Sequence, residues 1–346
     1  MRFIGVPIKR LEDPRLLVGG GRYVDDLVRP GTVHAVLVRS AHAHARIRRI
    51  DVRHALAQPG VLACLTATDL AGVPMIPLRQ PGKPGHAAYL QPPLAGEKVR
   101  YVGQPIAVVV ATDRVTAVDA SERVEIDYDP LPARIDLDDA GSPLFAEGDV
   151  ADSWTTTIGD VDAALRSAAC VVGDQFYIGR QTAAPMETRG LLAEWDGAAG
   201  KLRVSGASKV PFPNRRVLAK HLGLGIEQIE MLEGDTGGAF GVRGEFYPED
   251  FLIPYAAKRV GRPVKWIEDR REHLIATNHA RDADCELELA CDGDGRILAL
   301  RGHARTDVGA YLRTNGLTPS RNVAQVSPGP YRIPHVLLRV SAMLTN

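Results

Sequence analysis

Residues 234–246, GDTGGAFGVRGEF, set four glycines and one phenylalanine between Gly234 and Gly241 before charge returns at Arg243. Glycine lowers the steric cost of unusual dihedrals and lets another group press against the main chain. A structural turn needs one or two glycines, so this density predicts a ligand that approaches the backbone. The stretch lacks the lysine–hydroxyl pair of a phosphate-cradling loop, which disfavours a nucleoside triphosphatase. A nest of glycine amides can still hold a phosphate, a pyrophosphate or an oxo group. The neighbouring Gly223-Leu224-Gly225 follows a helical pattern instead of a strand and reads as a helix C-cap, not as a dinucleotide fingerprint.

On either side of the loop the periodicity is clear. NRRVLAKHLGLG (214–225) keeps Val217, Leu218 and Leu222 near one helical face. PEDFLIPYAAKRVG (248–261) opens with Pro248 and two acids and closes on Lys258, Arg259 and Gly261, charges that suit a helix dipole at both ends despite Pro254. ADCELELACDGDGRILALRGHA alternates Cys285, Leu287 and Leu289 against Glu286 and Glu288, then turns at 292–295, as a β-hairpin does. Toward the N-terminus, VHAVLVRS (33–40) and QPIAVVVA (104–111) are apolar, β-branched runs of strand length. TAVDASERVEIDYDPL predicts a short helix passing into a strand. Between Asp136 and Asp152 the pattern has no period, and a linker is expected there. These segments together make a mixed α/β (α+β) chain.

At 346 residues the chain is long enough for two domains. Its 42 basic and 42 acidic residues cancel, which argues against broad nucleic-acid binding and against an anionic membrane surface. Aromatic residues are 5% of the chain, too few for interleaved base-stacking platforms. Pro7, Lys9 and Arg10 interrupt the first apolar stretch, so it is not a secretory core, and no run reaches the length of a membrane-spanning helix. Cys64, Cys170, Cys285 and Cys291 form no C-x-x-C pair and supply neither a zinc nor an iron–sulfur site. They are expected to be buried and reduced, in a cytoplasmic protein. His42 and His44 would share one face of a strand, but a metal needs a third ligand, and packing or surface roles are favoured over a metal centre. Glu187, in RQTAAPMETRG, reads as a surface acid paired with Arg189.

Taken in order, LEDPRLLVGGGRYVDDL, HAVLVRSAHAHARI, VRYVGQPIAVVVA, VEIDYDPLPA, RQTAAPMETRG, GDTGGAFGVRGEF and DVGAY resemble one family along essentially the whole chain. The sequence is similar to the molybdenum-binding subunit of the xanthine dehydrogenase, aldehyde oxidase and aerobic carbon monoxide dehydrogenase family. The resemblance implies an α/β hammerhead domain with an N-terminal extension over 1–140, a linker over 141–152, and the first part of a molybdopterin-binding domain over 153–346. It implies that Gly237, Gly238, Ala239, Phe240 and Gly241 bring main-chain amides to the molybdenum centre and its oxo ligand. Phe240 would then be either a wall for a flat substrate or cofactor, or a core anchor for the loop.

Two positions depart from the family pattern. Lys209, in GASKVPF, stands where many relatives carry a glutamine near the oxo group, and it is the candidate catalytic side chain. Purine-oxidising relatives have a glutamate four residues after the loop phenylalanine. That position is Gly244 here, and Glu245, one step further, is the candidate substrate contact. No metal ligand is expected from the side chains.

The resemblance further implies a molybdenum–molybdopterin cofactor, plain or as its cytosine dinucleotide. Iron–sulfur clusters and FAD would sit on partner chains. Either a second chain completes the molybdenum subunit and supplies the family's glutamate base, or the sequence is a fragment; in both cases this chain is not expected to turn over alone. The implied reaction is hydroxylation of an aldehyde or N-heterocyclic carbon with water-derived oxygen. A non-catalytic cofactor-binding or assembly subunit of the same fold is the competing class, favoured by Lys209 and the missing base.

Overall fold

The computed structural model describes residues 3–139, 141, 143–280 and 282–346. Its strands are β1 (Val33–Arg39), β2 (Ala45–Asp51), β3 (Val61–Thr66), β4 (Lys98–Val99), β5 (Pro105–Ala111), β6 (Glu125–Pro130), β7 (Val150–Ile158), β8 (Cys170–Ile178), β9 (Gly190–Asp196), β10 (Lys201–Ser205), β11 (Ile229–Leu232), β12 (Val264–Ile267), β13 (Ala283–Cys291), β14 (Ile297–Asp307) and β15 (His335–Met343). The α-helices are α1 (Asp13–Leu17), α2 (Arg53–Leu56), α3 (Arg114–Ser121), α4 (Val161–Ser167), α5 (Pro211–Leu222), α6 (Pro248–Val260), α7 (Arg270–Ala276) and α8 (Thr318–Val326). The mixed α/β class read from the sequence holds.

The apolar run 105–111 becomes β5, all of whose residues are buried. A strand covered on both faces needs no polar alternation. Val108 and Val110 join the core that α6 contributes through Phe251, Leu252 and Ala256, while Ala107 and Val109 pack toward Ala55 and Ala120 of α2 and α3. β5 sits in a seven-stranded sheet of order β11-β10-β9-β12-β1-β5-β3. A short parallel pairing of β1 with β12, Val33 opposite Val264, makes that sheet continuous across residues from both sides of the predicted linker. A small sheet, β4-β2-β6, covers β5 near Ile106.

The remaining sheet is β7-β15-β14-β13-β8, with β14 and β15 parallel. The predicted hairpin is β13–β14, in register from Ala283 opposite Thr306 to Cys291 opposite Ile297. Helix α4 packs on one face and α8 on the other, but neither reaches β8, whose nine residues are all exposed. Here the cysteine expectation fails. Cys64 is buried and burial pushes its thiol up to about 12, whereas Cys170 opens edge strand β8 and is exposed, and Cys285 and Cys291 are half-buried. Of the histidine expectation, the placement on one strand face fails while the packing role holds. His42 and His44 precede β2 in an irregular turn; His42 stacks on Tyr128 and buried His44 bonds the Pro132 carbonyl through Nδ1 at 2.7 Å.

Both long helices end as their sequences require. α5 stops at Gly223, in the left-handed region at φ 64°, where the Leu224 N–H returns to the Ala219 carbonyl. α6 stops the same way at Gly261. These two helices flank the glycine-rich loop in sequence and pack on each other beneath it.

Candidate cofactor site

The loop leaves β11, an edge strand of the large sheet, and passes through a short 3-10 turn at Val242–Gly244 before α6 begins. The structure gives a second reason for its glycines. A Cβ on Gly237 would fall 2.4 Å from the Cβ of Glu187, and one on Gly238 would fall 2.9 Å from the Cβ of Pro185. The bare side of the loop is therefore filled by the protein's own segment 185–187. The N–H groups of Gly238, Ala239, Phe240 and Gly241 donate to no described residue.

Phe240 is the one described non-glycine residue with positive φ, at 46°. Holding a bulky side chain there costs about 1–3 kcal/mol, which the surrounding contacts must offset. Its ring is 80% exposed, so the core-anchor reading is wrong: an anchor would be buried. The Phe240 side chain instead stands beside four unpartnered amides.

Behind the loop lies a set of ion pairs the sequence did not reveal. Glu187 is not paired with Arg189. Its carboxylate accepts from the Gly237 N–H at 2.9 Å, from Arg243 Nη2 at 2.9 Å and from the Val24 N–H at 3.2 Å. Arg243, its side chain 2% exposed, also donates through Nε to the Gly238 carbonyl at 2.9 Å. Arg189 turns the opposite way, to Glu268 and, at 3.3 Å, to Glu249, which Arg39 binds from its far side. Burial opposes ionisation of Glu268, but Arg189 and the bond from His273 outweigh it and hold the carboxyl down to about 2. Charges this deep must be paired, but neither their burial nor which acid takes which arginine was legible in the sequence.

At the loop's entry, Asp235 is gripped by both Nη atoms of Arg15 at 2.7 Å and by the Arg22 N–H at 2.7 Å, and the Arg15 bond leads in holding it down to about 2. Among the described residues Asp235 pairs with Arg15 and not with Lys209. Lys209 is exposed, and its N–H donates to the Arg243 carbonyl at 3.1 Å, which sets it at the loop's exit turn. Glu245 is buried, its Oε2 accepting from the Asn315 N–H at 3.2 Å. Arg79 and Asn315, which the sequence reading missed, both donate to the Gly244 carbonyl, at 2.7 and 3.1 Å. They lie 165 and 71 residues from it, and no local pattern marks them.

A loop at the end of a sheet strand whose amides have no described partner and whose rear is held by buried charge has the chemistry to receive an oxygen that carries negative charge. Comparison with known proteins makes this specific. The family profile described as "Molybdopterin cofactor-binding domain" matches residues 145–346, and "Aldehyde oxidase and xanthine dehydrogenase, a/b hammerhead domain" matches residues 18–132. The chain is 37% identical to the 6-hydroxypseudooxynicotine dehydrogenase complex subunit gamma of Paenarthrobacter nicotinovorans, over 99% of this chain and 44% of that protein. It is 38% identical to the carbon monoxide dehydrogenase large chain of Afipia carboxidovorans, over the same shares. The solved structure of quinoline 2-oxidoreductase from Pseudomonas putida 86 superposes with a TM-score of 0.93 at 36% identity, covering 99% of this chain and 44% of that one. The chain belongs to the molybdenum-binding large subunits of the xanthine dehydrogenase, aldehyde oxidase and carbon monoxide dehydrogenase family. It spans less than half the length of the relatives it matches.

Proposed function

We propose that this chain forms the N-terminal part of the large subunit of a molybdenum hydroxylase, with Gly237–Gly241 as its cofactor loop. The supporting observation is the run of four free amides at 238–241 on a loop pinned from behind. Such amides fit an oxygen that carries negative charge, because the donors are oriented before the ligand arrives. The molybdenum–molybdopterin group, plain or as the cytosine dinucleotide, supplies when bound the oxidation that places a water-derived oxygen on an electrophilic carbon. Ala239 keeps the approach to the amides open. The Phe240 ring offers a flat apolar wall, and the exposed ammonium of Lys209 adds a positive charge at the loop exit.

N-heteroaromatic substrates are the favoured class, since relatives named for nicotine and quinoline accompany the carbon monoxide enzymes; aldehydes are the second class. Glu245, buried under Asn315, would act on substrate through that loop. Residues 1–140 form the hammerhead unit with its extension, 141–152 the linker and 153–346 the first cofactor-binding part, in a cytoplasmic complex with iron–sulfur and flavin subunits and a chain completing the large subunit. No helix among the described residues is long and apolar enough to cross a membrane. The test is co-expression with the neighbouring subunits, followed by elemental analysis and turnover of a quinoline or nicotine-type substrate. Molybdenum bound with redox activity supports an enzyme. Molybdenum bound without turnover points to the assembly class, and no molybdenum refutes the cofactor site.

A further inference from the structure

Glu187 is read from its sequence as a surface acid, yet it shares four hydrogen bonds with Gly237 and Arg243 of the glycine-rich stretch. Its carboxylate takes Gly237 N–H, Arg243 Nη2 and Val24 N–H. Its main chain repeats the pattern: the Glu187 N–H donates to the Gly237 carbonyl at 3.2 Å, and its own carbonyl accepts from Arg243 Nη2 at 2.9 Å. The side chain is 14% exposed. One residue thus joins the N-terminal arm, the start of the loop and the arginine that holds the Gly238 carbonyl.

The platform beneath Glu187 is itself fixed. Segment 183–186 has no regular structure, so its carbonyls need partners from elsewhere. Helix α7 supplies them: Arg270 donates to the Pro185 and Met186 carbonyls, and His273 Nε2 lies 2.9 Å from the Ala183 carbonyl. The chain of support runs from α7 through 183–187 to Gly237. Only past Gly237 do the free amides begin.

We infer that Glu187 is the positioning residue of the cofactor loop, and that its reach, more than its charge, sets where the amides of Gly238–Gly241 stand. The inference rests on the proposed cofactor role of those amides. Reach and charge are separable by substitution. Glu187→Asp keeps the negative charge near Arg243 but withdraws it by about 1.5 Å, one C–C bond, so the bond to Gly237 is lost. Glu187→Gln keeps the length and one carbonyl oxygen for Gly237 and Arg243, and gives up the charge. An ion pair that serves folding alone would suffer more from Glu187→Gln. A positioning residue would suffer more from Glu187→Asp.

The experiment uses the assembled, molybdenum-loaded complex and three readouts: kcat and KM, molybdenum per chain, and amide exchange of the peptide 234–246. For Glu187→Asp, kcat should fall about 100-fold with KM changed far less, since a displacement of about 1 Å has that effect on a reacting geometry. Exchange of the loop peptide should rise about tenfold, as loss of one hydrogen bond implies. Glu187→Gln should be milder in both readouts. Should Glu187→Asp fail to assemble, Arg243→Lys keeps the charge, loses the Nε bond to Gly238 and should give the same pattern. Unchanged exchange and kcat in Glu187→Asp, or Glu187→Gln the worse of the two, would overturn the inference. A wild-type complex without molybdenum would instead overturn the proposed function, and the exchange comparison would still decide the role of Glu187.

Discussion

Gly237→Ala gives the sharpest test of how the loop is held. Gly237 lies outside the positive-φ glycines, so alanine meets no backbone strain there and the effect isolates steric approach. The new Cβ would stand 2.4 Å from Glu187 Cβ and 3.2 Å from Glu187 N, against the 3.4 Å where ordinary contact starts. One side must retreat by about 1 Å. Segment 183–187 is anchored by Arg270 and His273, whereas the outer loop carries four free amides, so the loop should move. A shift of that size predicts about a 100-fold loss in kcat. Crowding should cost about 1–3 kcal/mol of stability. The assay is turnover per bound molybdenum in the assembled complex, alongside its denaturation midpoint. Gly261→Ala serves as the control: its Cβ meets nothing within 4 Å, so it adds only left-handed strain, about 1–2 kcal/mol, at a helix end remote from the loop. Stability loss in both variants with turnover lost only in Gly237→Ala is expected. Wild-type turnover in a folded Gly237→Ala complex would refute the claim that loop placement governs the site.

Lys209→Gln should weaken binding of anionic substrates more than neutral ones and shift the pH dependence of turnover; equal effects on both, with no pH shift, would remove Lys209 from the site. Glu268→Gln takes one acid from Arg189 and should cost about 3–5 kcal/mol of stability, measured by urea denaturation. Because the Glu268 carboxyl is held below its ordinary 4.5, at about 2, its stabilisation is present above pH 4.5 and is lost as pH falls toward 2; the variant should lack this part of the acid dependence, and an unchanged acid profile would refute the pairing. Expressed alone, the chain should self-associate through β8, where Val172 and Phe176 are 56% and 50% exposed on an edge with pairing on one side only. Phe176→Lys should raise the monomer fraction in size-exclusion chromatography, and an unaltered chain that runs as a monomer would refute this.

Periodicity and turn chemistry act over a few residues, and what they govern was legible in the sequence alone: β1 and β5 as apolar runs, α5 and α6 with their glycine ends, the β13–β14 hairpin, and the ordered segments that mark the family. The position of the glycine-rich loop was legible for the same reason. Its glycines, however, were read only as room for a ligand, and the tertiary structure shows Gly237 and Gly238 pressed against Glu187 and Pro185 from behind. The fate of each charge also lay beyond the sequence. Glu187 and Arg189 are two residues apart and would share one face of a strand, yet one points to Arg243 and the other to Glu249 and Glu268, because 187–189 is an irregular bend and not a strand. Four cysteines with apolar neighbours looked alike until strand order put Cys64 inside and Cys170 on an edge. Strand order, and with it the sheet that joins β1 to β12 across some 230 residues, depends on which distant surfaces bury each other. That choice is made by the whole chain's packing and leaves no mark within any one segment.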